Sequence, residues 1–297
     1  MNDHFDDTSP EATHVFTRHL GRLLRDAHLK AHAKARETMP GGRHPRDWGV
    51  MAVLEEQGPL SQQRLGELLG VNRTLMVSVI DGLEDDGLVE RGRNPEDRRS
   101  YALALTDAGR AAVARTAPEI VQTERQFLGA LSGPERERLA RLLHTLLLGG
   151  RSEPVPPVLA GRAGFLLAAG YRYSRGRLDA ALEPLGFDIH GFAVLAVLAQ
   201  LGPSSQQRLS DELDLSGTMI VALVDGLERD GLLERRRSRS DRRVNLLHLT
   251  KKGREALTAA QAARERAMGE LTKPFGPGEE EELCVLLRRL LGVPQPS

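Results

Sequence analysis

One cysteine, Cys284, stands among 297 residues. That excludes an intrachain disulfide and a cysteine-rich zinc site. Neither charge is in excess, since 41 Lys and Arg balance 41 Asp and Glu. Any surface for nucleic acid must therefore be a local patch, not a global basic field. No apolar run reaches the ~18 residues of a membrane span, so no membrane partner is expected. The opening MNDHFDDTSPEATH has neither the basic start nor the apolar core of a signal peptide. A soluble, cytoplasmic chain is expected. Aromatics are scarce at 4%, with one Trp and three Tyr. A Gly-rich phosphate loop, a nucleophile elbow and a His-Glu zinc motif are all missing. The expectation is no enzyme, no cofactor and no metal.

What the chain does have is a repeat. Shifted by 144 positions, Ser61–Arg110 aligns with Ser205–Arg254 without a gap, with 26 of 50 positions identical. Solenoid repeats run about 20 to 50 residues, so this period is a whole domain. The length prior of about two domains agrees. The expected division is a tail over 1–10, a first domain over 11–148, a Pro/Gly-rich linker over 149–161 and a second domain over 162–297. Two copies in one chain can supply the two-fold symmetry usually met by a homodimer.

Periodicity predicts helices over 11–38 and about 48–57, the second stopping at Gly58-Pro59. Ser61 is placed to cap a short helix through Leu69. A second helix follows over about 72–86, with Gly87 at its end. Val71, Leu75, Val79 and Leu83 are expected to face its core. Two β-prone runs, Leu88–Arg91 and Tyr101–Leu105, flank a polar tip and read as a hairpin. Thr106 should cap a long helix to about Ala130, interrupted or kinked at Pro118. A last helix runs from Pro134 to Leu148. The second half repeats this order: helices over 158–182, 189–201, 205–213 and 216–230, a hairpin over 232–249, and helices from Thr250 and Gly278.

Short helix, turn, second helix and hairpin make a winged helix-turn-helix. The fold class is mainly α with small β-wings (α+β), two such domains meeting through a helical pseudo-dimer interface. The second helix suits the major groove of duplex DNA, about 12 Å wide, and the wing reaches along the backbone. In the first half Asn72, Arg73, Thr74 and Ser78 lie at its start or exposed side, able to meet bases and phosphates. In the second, Ser216 and Thr218 do, with Gly217 in place of Arg73. Ser61, Gln62, Ser205 and Gln206, at the starts of the bracing helices, join the DNA-binding set. The wings supply Arg91, Arg93, Arg98 and Arg99, and Arg235, Arg236, Arg237, Arg239, Arg242 and Arg243. Arginine clusters suit phosphate and minor-groove contact.

The stretches QQRLGELLG, DGLEDDGLVER and DRRSYALALTDAG, with QQRLSDELD, DGLERDGLLER and DRRVNLLHLTKKG, resemble the MarR family of regulators. The resemblance covers both halves. It implies a transcription regulator, usually a repressor, that binds near-palindromic duplex DNA as a homodimer through its terminal helices. It carries base reading to Asn72, Arg73, Thr74, Ser216 and Thr218, and wing contacts to Arg98, Arg99, Arg242 and Arg243. Asp97 and Asp241 would orient those arginines. The tandem fusion departs from the family pattern. One chain would form a single-chain pseudo-dimer on two unequal half-sites about one turn apart, and the sequence leaves room for further association.

The resemblance also implies a small phenolic or aromatic effector. Arg25, His28, Trp48, Tyr171, Tyr173, Arg175 and His190, near the equivalent first two helices of each half, are the candidate ligand residues. Trp48 aligns with Phe192 and reads first as core. The i, i+4 pair His28 and His32 is best read as a solvated helix face. Cys284 in ELCVLLRRLL reads as a buried small hydrophobe. An alternative function, a fusion that has lost DNA binding and sequesters a small molecule or binds a protein, draws on Gly217 and the zero net charge.

Overall fold

The computed structural model describes residues 20–38, 43–93, 101–150, 153–237 and 245–295. The expected tail over 1–10, the start of the first helix and both wing tips lie outside the described residues. The first repeat runs α1 (Leu20–Thr38), α2 (Pro45–Gln57), α3 (Gln62–Leu69), α4 (Arg73–Asp85), β1 (Val89–Arg93), β2 (Tyr101–Leu105), α5 (Asp107–Phe127) and α6 (Gly133–Leu148). After a one-turn α7 (Pro157–Ala160), the second runs α8 (Ala163–Leu182), α9 (Ile189–Leu201), α10 (Gln206–Leu213), α11 (Gly217–Arg229), β3 (Leu233–Arg237), β4 (Asn245–Leu249), α12 (Lys251–Thr272) and α13 (Glu279–Leu291).

Ser61 and Thr106 cap as the sequence offers, and the structure adds caps at Ser205, Thr250 and Ser132. Ser61 and Ser205 accept from the Arg64 and Arg208 amides at the starts of α3 and α10. Thr106 and Thr250 accept from Gly109 and Gly253. Ser132 and Glu135 form a capping box on α6. Each hairpin is a five-residue antiparallel pair, Val89 opposite Leu105 and Leu233 opposite Leu249. A bridge from Leu60 to Leu103, and its repeat from Ser204 to Leu247, ties each wing to the turn before its bracing helix.

Three expectations about the helices are corrected. The helix expected over 158–182 is broken: α7 ends at Ala160, and α8 begins at Ala163. Leu159 on α7 is buried in the core of the first repeat, which anchors that turn apart from α8. α5 passes through Pro118 without interruption. Pro118 is exposed, while Val113, Ala117 and Ile120 pack on the core. That apolar face holds the helix together across one missing hydrogen bond. Finally, α4 buries Met76, Val79, Ile80 and Leu83. Leu75 is exposed, and Val71 lies ahead of the helix, half-buried.

The described chain forms two compact units. One holds residues 174–271; the other holds 18–173 together with 272–297. The core of the first repeat gathers Trp48, Val50, Met51, Leu65, Leu68, Ile80, Leu83 and Leu103. That of the second gathers Phe192, Leu195, Leu198, Leu209, Ile220, Val224 and Leu247. In the larger unit the C-terminal helix α13 packs on α1 and α6. Leu283, Cys284, Leu286, Leu287 and Leu290 are buried there. Lys30 of α1 donates to the Leu290 carbonyl at 2.8 Å. Arg138 of α6 donates to Glu282 and Glu279 of α13, with contacts of 2.6–2.9 Å, and Arg289 pairs with Glu135. The N-terminal half of α8 packs there too: a side chain at Gly170 would meet Leu24, Leu143 and Leu146. Among the described residues no single helix is long and apolar enough to cross a membrane.

Candidate nucleic-acid interface

Each repeat presents the start and outer face of one helix. Asn72 is the N-cap of α4, its Oδ1 accepting from the Leu75 amide at 2.9 Å. Ser216 does the same for α11, accepting from Met219 at 3.3 Å. Both caps therefore have a structural task beside any contact with DNA. Arg73, Thr74 and Ser78 are exposed on α4, as are Gly217 and Thr218 on α11. Gln62 and Gln206 are half-buried, and the Gln206 Nε2 is buried without a hydrogen-bond partner. Arg237 ends β3 in solvent. The side chain of Arg93, and all of Arg98, Arg99, Arg239, Arg242 and Arg243, lie outside the described residues.

Two of the expected wing cations point elsewhere. Arg91 turns back onto α4, pairing with Asp81 and with Glu84 at 3.3 Å. Arg235 turns back onto α11, pairing with Asp225 at 2.5 Å and with Glu228. Glu228 also accepts from the Arg235 amide at 3.0 Å. These carboxylates hold the Arg235 guanidinium charged, and each arginine is neutralised within the fold. Arg236 is paired with Glu234. The exposed basic surface of each wing is thus smaller than the arginine count suggests. Each arginine instead clamps a strand to the exposed face of its neighbouring helix. The signal for this lay in the repeat, because Asp81, Glu84 and Arg91 recur as Asp225, Glu228 and Arg235.

The expected effector residues divide into separate groups. His28 stacks on Tyr171 with centroids 5.5 Å apart. The solvated-face reading of His28 and His32 is corrected, because His32 also meets His44, Nε2 to Nε2 at 2.7 Å. His44 Nδ1 accepts from the Arg46 amide. A neutral His44 then carries its proton on Nε2 and donates it to His32. Burial pushes His28 and His44 down to about 4, with nearby arginine charge adding to the shift. Trp48 is buried in the core, with the Arg162 guanidinium 5.5 Å over its ring. Arg25 lies 3.6 Å from Asp26. Tyr173 packs against Gly150, where any side chain would collide with its ring. In the smaller unit Arg175 reaches Asp179 at 3.2 Å and His190 at 3.4 Å. A cleft of about 330 Å³ in that unit is lined by Arg177, Ala180, Ala181, Ala263, Arg266, Ala267 and Glu270. None of the expected effector residues lines it. Among the described residues no group of three or more His, Cys, Asp or Glu could hold a metal ion.

The MarR family model matches the chain twice, over residues 45–101 and 190–244. A putative transcriptional regulatory protein for the hcr operon of Thauera aromatica is 33% identical over 129 residues, spanning 43% of this chain and 78% of its own length. The chain belongs to the MarR family. Each match runs from the helix ahead of the helix-turn-helix through the first wing strand of one repeat, so the chain is a tandem MarR fusion. Members of this family are DNA-binding transcription regulators, not enzymes. The regulator PecS of Dickeya dadantii is 33% identical over 101 residues, covering 33% of this chain and 61% of its own. The solved structure of a probable transcriptional regulator from Pseudomonas aeruginosa is 31% identical, covers 42% of this chain and 93% of its own, and has a TM-score of 0.41.

Proposed function

We propose that one chain of this MarR fusion is the whole operator-binding unit, a repressor whose two winged helices occupy the two arms of a near-palindromic site. The domains are 11–148 and 162–297, joined through 149–161. The observation that carries the reading is α13. It ends the second repeat in sequence, yet it packs on α1 and α6 of the first. Arg138 and Glu282 are equivalent positions of the two repeats, 144 apart, and they pair with each other. A symmetric dimer of identical chains would bring like charges together at such a position. Opposite charges favour pairing of the two repeats over pairing of each repeat with its own copy. Since Gly217 replaces Arg73, the two half-sites differ.

A small phenolic or aromatic acid is the proposed releasing effector. Support comes from two expected effector residues, Trp48 and Tyr173, whose indole Nε1 and phenolic oxygen are buried without a hydrogen-bond partner. Buried donors of this kind are normally satisfied, and a carboxylate or phenolate is a partner that would satisfy either one.

Sedimentation of full-length protein, alone and with duplex from its own upstream region, tests the main reading. One chain per duplex, with affinity falling steeply as salt rises, is expected. An obligate dimer of fused chains, or weak sequence-blind binding, rejects it. Salicylate, as a probe, should raise the melting temperature and release the duplex. If salicylate produces neither change, the effector is rejected.

A further inference from the structure

Each base-reading helix carries a second, apolar surface. Leu75 and Val77 on α4 are both 38% exposed, and Met219 and Val221 on α11 are 37% and 45% exposed. They are equivalent positions of the repeat, 144 apart. Large exposed apolar side chains therefore recur at the same two places on the same helix, although neither Leu75 nor Met219 is needed by the core.

The angular placement identifies what could cover them. At 3.6 residues per turn, positions i and i+2 lie about 160° apart across the outward side of a helix. On α4 the arc between Leu75 and Val77 holds Thr74, Ser78 and Asp81. On α11 the arc between Met219 and Val221 holds Thr218, Ala222 and Asp225. The apolar side chains thus flank a largely polar ridge and do not merge into one patch. A flat protein surface would reach one flank only. A concave groove that takes in the whole helix touches both flanks at once. The major groove has the width for a helix of that diameter, and the apolar group displayed on its floor and walls is the thymine C5 methyl.

We propose that Leu75 with Val77, and Met219 with Val221, read thymine C5 methyl groups at equivalent positions of the two half-sites. The proposal rests on the DNA-binding reading above. It adds a shared rule, thymine in both arms, to the asymmetry that Arg73 and Gly217 impose. Arg73 can donate to guanine in one arm only, so the arms share thymine and differ elsewhere.

The experiment selects a bound duplex from a random double-stranded library with the full-length chain. It then replaces that duplex's thymines, one at a time, by deoxyuridine, which removes only the methyl. Loss of one buried methyl predicts about fourfold weaker binding at the read positions, with the salt slope unchanged. V77A and V221A should each abolish the deoxyuridine effect in one arm while keeping the salt slope. If the selected duplex binds with a steep salt slope and deoxyuridine changes nothing, the methyl reading is overturned and DNA binding stands. The same holds if the deoxyuridine effect persists in the valine variants. If no salt-dependent binding is selected, both readings fall.

Discussion

Two kinds of helical glycine in this chain should respond to alanine with opposite signs. Gly109 lies in the first turn of α5. A Cβ there would come closer than 3.0 Å to the Leu88 carbonyl oxygen and 3.1 Å from Leu105 Cδ2. That carbonyl accepts from the Thr106 amide at 3.1 Å. Thr106 meanwhile accepts from Gly109 and donates to the Gly87 carbonyl at 2.7 Å. Opening the contact separates the start of α5 from the turn leading into β1. It strains the cap, worth ~1 kcal/mol, and a backbone bond, also ~1 kcal/mol. Overpacking adds roughly 1–3 kcal/mol. Alanine's helix preference returns less than ~1 kcal/mol. G109A should therefore cost about 2–4 kcal/mol. Gly253 repeats the geometry against Leu232 O, so G253A should cost the same. Gly82 and Gly226 lie inside α4 and α11 with nothing within 4 Å of an added Cβ. G82A and G226A should stabilise by about 0.5–1 kcal/mol. Urea denaturation followed by circular dichroism reads all four. Midpoint shifts in G109A and G253A no larger than those of the two controls would rule out the clash.

The pairing of Arg138 with Glu282 predicts that R138E lowers the melting temperature by roughly 2–4 °C, and that E282R in the same chain restores most of it; absence of rescue would deny the contact. Acid should weaken the larger unit through its histidines. His28 and His44 titrate near 4 when folded against an ordinary 6.5, so the unfolded chain takes up protons first. Their contribution is complete above pH 6.5 and is lost as pH falls from 6.5 towards 4. After allowance for solvent it is on the order of 2 kcal/mol. H28F and H44F should flatten the melting-temperature profile between pH 7 and 5, and an unchanged profile would refute this. Burial also pushes the Cys284 thiol up to about 12. Iodoacetamide at pH 8 should therefore label it only after unfolding, and rapid labelling of the native chain would contradict the buried placement.

Much of the fold was legible because local chemistry and the hydrophobic period agreed. Ser61 and Thr106 announced their caps, Gly58 and Gly87 their stops, and the 144-residue period announced the second copy. Leu75 was misjudged because a spacing of four fits two helix faces equally well, and only packing decided that Met76 and Ile80 went inside. Arg91 and Arg235 looked like free wing cations, since charge in a sequence has no direction. Their carboxylate partners lie seven and ten residues back, across a helix-to-strand turn. His32 lies on α1 and His44, twelve residues on, caps α2, and no period joins them.

The sequence by itself determined the repeat, the order of helices and hairpins, and the family, because these follow from local propensity and pattern. Only the tertiary structure decided that α13 returns to α1 and α6, that two wing arginines brace α4 and α11, and which apolar side chains remain in solvent. Those outcomes depend on contacts between distant segments, where packing and charge pairing select one arrangement among several that the same local pattern permits.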